Sequence, residues 1–233
     1  DSISKLKSAF DNIKKQLTRV IVGQDQVIEE LLIALFSKGH CMLEGVPGLA
    51  KTLMISTLSR CLSLEFSRIQ FTPDLMPADI IGTNIIVEDA DGRKHFLFQS
   101  GPIFGHILLA DEINRATPKT QSALLEGMQE GGVTVGGMSR PLPSPFFVLA
   151  TQNPEEFYGT YPLPESQMDR FLLRISVGYP AKSVERELLR ERAGGDPVLR
   201  LAPVVDLAAI RALQEGVETI RVEDAILDYA MTL

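Results

Sequence analysis

Three short runs of uninterrupted apolar residues stand out from an otherwise amphipathic chain: Cys41-Met42-Leu43, Ile107-Leu108-Leu109-Ala110 and Phe146-Phe147-Val148-Leu149-Ala150. Runs of this length without polar alternation predict strands buried on both faces, the pattern of a parallel sheet. Around them, apolar residues recur at helical spacing. Ile3, Leu6, Phe10, Ile13 and Leu17 predict an amphipathic helix lying on the core, with a partner-binding helix as the alternative. Val27, Ile28, Leu31, Leu32 and Leu35 predict the buried face of a second helix over Gln24 to Lys38, and Leu53 to Leu62 reads as a third. Strand alternating with helix predicts an α/β fold, a parallel sheet flanked by helices on both sides.

Two stretches interrupt that alternation. Thr83 to Phe98 holds Ile85-Ile86-Val87, an Asp89-Ala90-Asp91-Gly92 turn and Phe96-Leu97-Phe98, a hairpin signal. Gly131 to Pro145 holds a second, with Val133-Thr134-Val135 before Gly136-Gly137. Each reads either as an ordinary surface hairpin or as a contact element. Beyond Pro180 the pattern turns helical: Ser183 to Ala193, then Asp206 to Glu215 with Asp206 as a candidate N-cap, then Val222 onward. Gly194-Gly195-Asp196-Pro197 reads as the loop between the first two. The division expected is an α/β core with its N-terminal helix over 1–180 and the start of an α-helical lid domain over 181–233.

The strand ends carry the chemistry. After Cys41-Met42-Leu43 comes Gly45-Val46-Pro47-Gly48-Leu49-Ala50-Lys51-Thr52, a glycine-rich turn opening a helix. Such a turn points its amides at an anion, and the helix dipole favours negative charge there. Lys51 can reach terminal phosphates, and the Thr52 hydroxyl can ligate magnesium. Ala50 stands where the general pattern has glycine. The bland alternative is a strand-to-helix turn with an exposed lysine. The second run ends in Asp111-Glu112, at the edge where ligands bind in open α/β sheets. There Asp111 can hold magnesium and Glu112 can polarise a water, unless the pair merely leaves the core for solvent. The third run ends in Thr151-Gln152-Asn153-Pro154, a turn signal in which Asn153 can also position an attacking water.

Composition narrows the reading. Of 233 residues 45% are hydrophobic, enough for a sizeable core, and the formal charge of −7 gives no basic footprint for DNA or RNA. No apolar run approaches the length of a membrane span. Cys41 and Cys61 lie in apolar surroundings and read as small core residues in a reducing cytoplasm. His40, His95 and His106 lack metal-ligand spacing, so magnesium bound with nucleotide is the one metal expected.

Taken together, EGVPGLAKT (44–52), LLADEINRATPKTQSALLEGMQE (108–130), FFVLATQNPEEFYGTYPLPESQMDRFLLRISVGYP (146–180) and VIVGQ (20–24) resemble the MoxR family of AAA+ ATPases. The resemblance implies a P-loop NTPase fold and an oligomeric, usually hexameric, ATPase that binds ATP with Mg2+ and remodels or assembles partner proteins. It also implies a partner carrying a von Willebrand factor A domain. It assigns Gly45 through Ala50 to the phosphate loop, Lys51 and Thr52 to phosphate and magnesium, and Asp111 and Glu112 to magnesium and water. Asn153 becomes the polar sensor, and Arg170 an arginine finger reaching a neighbour's nucleotide. Val22 and Gly23, with Gln24, match the adenine pocket. Arg115 either faces a neighbouring subunit or makes a salt bridge at a helix start. The resemblance places both hairpins where relatives have pore or partner contacts. A second arginine sensor, in a segment like Ser-Pro-Arg-Ala, is expected late in the helical domain but does not follow Pro180, so the chain reads as part of a longer protein. The competing functions are a nucleotide-gated scaffold with incidental turnover, and a nucleic-acid or metal-chelatase motor subunit.

Overall fold

The three apolar runs become the middle of one sheet. A computed structural model describes residues 2–45, 51–152, 159–178 and 201–232. Strands β1 (Cys41–Glu44), β2 (Phe66–Gln70), β5 (Ile107–Asp111), β8 (Phe147–Gln152) and β9 (Leu173–Ser176) pair in parallel in the order β2-β5-β8-β1-β9. The three runs supply β1, β5 and β8, which are central and buried on both faces, as their lack of alternation requires. β2 and β9 close the edges and carry alternating polar residues.

Helices α1 (Ser2–Leu17), α2 (Asp25–Phe36) and α3 (Lys51–Cys61) share one apolar cluster with Leu43, Leu109 and Leu149 of the sheet. Ile13 and Leu17 of α1 are buried in it, which makes that helix part of the core. The other face packs on α4 (Pro77–Ile81) and α5 (Pro118–Glu130), with Met42, Leu108, Val148, Ile80 and Leu124 in a second cluster. Burying a side chain of this size contributes roughly 1.5–3 kcal/mol. Cys41 and Cys61 are free thiols inside the core, and burial pushes them up to about 12 and about 11.

Both expected hairpins form. β3 (Gly82–Glu88) pairs with β4 (Lys94–Ser100), and β6 (Gly132–Val135) with β7 (Met138–Pro141). Gly82 opens the first at φ 88, where any Cβ would overlap the Gln99 carbonyl oxygen. At its base Phe98 lies edge-on to Phe104 and beneath the Arg140 guanidinium. Further out, the cross-strand pair Ile86 and Phe96 is exposed.

The helices beyond residue 200 divide. In α7 (Leu207–Glu218) the Asp206 carboxylate caps the N-terminus by accepting from the Ala209 amide at 2.8 Å. Ile210 is fully buried in the α1–α3 cluster, and the buried Gln214 amide donates to the Leu35 carbonyl at the end of α2, at 2.6 Å. This helix, expected as lid, is docked on the core. In contrast, α8 (Asp224–Ala230) buries no residue. The expected helix over 183–193 and the loop at 194–197 lie outside the described residues.

Candidate active site

Strand register assembles the site at the carboxyl edge of the sheet. Gln70 pairs with Asp111, Ala110 with Ala150, and Leu43 with Thr151. Gln70, Asp111, Thr151 and Leu43 therefore form one row across four strands. Parallel strands end in step, so polar residues appended to β2, β5 and β8 meet at this edge.

The chain leaves β5 abruptly. Glu112 has φ 56 and ψ 50, a left-handed conformation that costs a non-glycine residue about 1–2 kcal/mol. Thr151, itself buried, holds the turn. Its hydroxyl donates to Asp111 Oδ1 at 2.6 Å and accepts the Glu112 amide at 2.8 Å. The other Asp111 oxygen and one Glu112 oxygen are engaged too. Arg68 Nη2 donates to Asp111 Oδ2 at 2.6 Å and to Gln70 Oε1 at 2.8 Å. Gln70 Nε2 donates to Glu112 Oε2 at 2.8 Å, and Arg115 Nη1 reaches the same oxygen at 3.0 Å.

Lys51, the first residue of α3, folds back so that Nζ donates to the Gly45 carbonyl at 2.8 Å. Burial pushes its ammonium below the usual lysine range, while Asp111 and Glu112 pull it back up. Gly45 is required as glycine, because at φ 157 any Cβ would overlap the Val177 carbonyl oxygen. Thr52 follows half-buried in the first turn of α3. Val46 to Ala50 and Asn153 lie outside the described residues.

Two assigned groups stand apart from this network. Val22 is half-buried, and Gly23 turns at φ 79. Gly23 lines a cavity of about 520 Å³ with Gln24, Glu30, Arg174 and Ser176, a volume in the range of small-molecule sites. Gln24 Nε2 donates to the Gly178 carbonyl at 2.8 Å, tying this segment to the end of β9. Arg170, between α6 (Glu165–Met168) and β9, donates through Nη1 to the Leu125 carbonyl of α5 at 2.9 Å. Among the described residues no hydrogen bond or salt bridge joins it to the acidic pair.

Sequence reading overlooked Arg68, Gln70 and Thr151. Their signal was faint but present. Arg68 and Gln70 sit two apart on the edge strand β2 and so share a face, and Thr151 begins the polar cluster that also holds Asn153. Among the described residues no group of three or more His, Cys, Asp or Glu could hold a metal by itself.

Residues 40–173 match the family model described as the ATPase family associated with various cellular activities (AAA). The chain is 50% identical over 216 residues to "Chaperone MoxR1" of Mycobacterium tuberculosis, covering 93% of this chain and 56% of that protein. The chain belongs to the MoxR family of AAA+ ATPases.

Other members are consistent with this. "Protein MoxR" of Methylorubrum extorquens is 32% identical over 179 residues, 75% of this chain and 51% of that protein. The crystal structure of a protein described as a candidate ATPase from Cytophaga hutchinsonii superposes with a TM-score of 0.88 at 40% identity, covering 99% of this chain and 69% of that one. The five-stranded parallel sheet flanked by helices is the P-loop fold of this family. The chain spans only about half the length of both MoxR-named relatives.

Proposed function

We propose that this MoxR-family chain binds and hydrolyses ATP and uses the cycle to remodel or assemble partner proteins. The observation that carries the reading is that the Lys51 ammonium, bonded to the Gly45 carbonyl just past β1, and the Asp111–Glu112 pair at the end of β5 lie at the same carboxyl edge of the sheet.

The donor set fits a nucleotide and its metal. Thr52 and Asp111 offer hard oxygens of the kind magnesium takes, and they would hold the ion there while it neutralised phosphate charge. Lys51 presents a fixed positive charge to the terminal phosphates. Glu112 orients a water and accepts its proton. Its backbone is held by Thr151, so the carboxylate swings on a rigid base, with Gln70 and Arg115 both holding Oε2. We assign the phosphate loop to Gly45 through Ala50, the sensor to Asn153, and the adenine contact to Val22 and Gly23 beside the cavity. Arg170 acts in trans, the role that its match to the family's finger position implies. The assembly is a homo-oligomer, with a hexamer and a von Willebrand factor A partner as the forms the family implies. The division near residue 180 is part of this reading, with α7 as the docked element of the lid. Two buried free cysteines suit a cytoplasmic location, and no helix among the described residues is long and apolar enough to cross a membrane.

The engaged Glu112 carboxylate favours one competing reading, a nucleotide-gated scaffold with incidental turnover. Two variants separate them. Lys51→Ala should lose ATP binding by calorimetry. Glu112→Gln should bind ATP normally while turnover drops by about two to four orders of magnitude. Unchanged turnover in Glu112→Gln rejects the catalytic assignment, and unchanged ATP affinity in Lys51→Ala rejects the phosphate loop.

A further inference from the structure

Arg68 has no place in the roles assigned above, yet it occupies the carboxylate that the metal reading needs. It lies on the edge strand β2, opposite Leu109, and reaches diagonally towards the strand end. There Nη2 sits 2.6 Å from Asp111 Oδ2 while also donating to Gln70 Oε1. Asp111 Oδ1 is taken by the Thr151 hydroxyl. Both Asp111 oxygens are thus engaged, one by a neutral donor and one by a full positive charge.

A guanidinium never loses its charge at accessible pH, so only movement can vacate that oxygen. The two side chains are unequal in this respect. Arg68 is 46% exposed and Asp111 only 18%, so the carboxylate is held in place while the arginine has solvent to withdraw into. Gln70 limits that withdrawal by gripping the same nitrogen.

We propose that Arg68 is a resident counter-ion that competes with the divalent cation for Asp111 and must swing away before a metal–nucleotide complex seats. This rests on the nucleotide reading above. It makes metal affinity lower than the carboxylate alone would provide, and it keeps the acidic pair neutralised between cycles. An exposed pair is weakened by solvent, so the expected handicap is modest, about three- to tenfold in metal affinity.

The test is a titration of Mn2+ followed by electron paramagnetic resonance of the free ion, on the full-length protein saturated with ADP. Arg68→Gln and Arg68→Met should each bind Mn2+ about three- to tenfold more tightly than the parent. Adding Asp111→Asn to either should abolish the gain. Tightening is the informative sign, because a variant that merely disturbed the fold would weaken metal binding. Unchanged or weaker Mn2+ affinity in the folded variants overturns the proposal. A matching loss of metal-free ADP affinity would assign Arg68 to phosphate and overturn it as well. If the parent binds no Mn2+–ADP, the nucleotide reading itself fails; if the parent binds but the variants show no gain, only this inference fails.

Discussion

Replacing Thr151 by valine probes the hinge of the candidate site without touching a residue given a chemical role. The side chains are nearly isosteric, so no cavity opens and the methyl contacts persist. What disappears is one buried hydroxyl with two short hydrogen bonds, to Asp111 Oδ1 at 2.6 Å and from the Glu112 amide at 2.8 Å. The bond to the carboxylate is charge-assisted and contributes about 1.5–3 kcal/mol, and an amide left without an acceptor costs about 1–3 kcal/mol. Extra apolar burial returns about 0.8 kcal/mol. The net is a loss of roughly 2–5 kcal/mol. For a chain of this size each kcal/mol shifts Tm by about 2–4 °C, so Thr151→Val should melt roughly 4–20 °C below the parent. Thr151→Ser keeps the hydroxyl and should stay within about 1.5 kcal/mol of it. Because Glu112 sits in a left-handed turn that this hydroxyl holds, the valine variant should also lose turnover. Calorimetric melting of the three proteins, with ATPase rates, checks both parts. A valine variant as stable as the parent, or a serine variant as damaged as valine, refutes the claim that the hydroxyl holds the turn.

Two further outcomes are expected. Arg170→Ala mixed with Lys51→Ala should recover part of the ATPase activity that each lacks alone, since some interfaces then pair an intact loop with an intact arginine; no recovery in demonstrated mixed oligomers counts against action in trans. His40 is buried, its Nδ1 accepts from the Val148 amide, and burial holds its pKa below the ordinary 6.5 against a weaker pull from the Met128 carbonyl. The unfolded chain therefore takes up a proton first, so stability is level above pH 6.5 and falls as pH drops through the folded pKa. His106, lowered mainly by burial, adds in the same direction. Urea unfolding between about pH 7.5 and pH 5.5 reads the slope; a His40→Asn variant with the parental slope removes His40 from the account.

Periodicity and strand-end chemistry made the layered α/β fold legible without coordinates. Uninterrupted apolar runs have one stable home, the doubly covered centre of a parallel sheet, and β1, β5 and β8 occupy it. The hairpins were legible because turn residues between β-forming runs are a local signal, and so was the Asp206 cap. The acidic pair and the lysine could likewise be named from linear order, since each closes or opens an element.

Their arrangement was not legible, because it depends on register between strands far apart in the chain. Only the alignment of Gln70 with Asp111, and of Asp111 beside Thr151, makes a threonine 40 positions away the brace of the Glu112 turn and an edge arginine the occupant of Asp111. The placement of α7 has the same origin. Its apolar stripe is a helix signal wherever it lands, and only the apolar surface that α1 and α2 together present decided that it would land on the core. Local sequence sets which elements form and what their ends carry, because those energies come from neighbours within a few residues. Tertiary structure sets which ends meet, because that depends on the long-range pairing and packing of those elements.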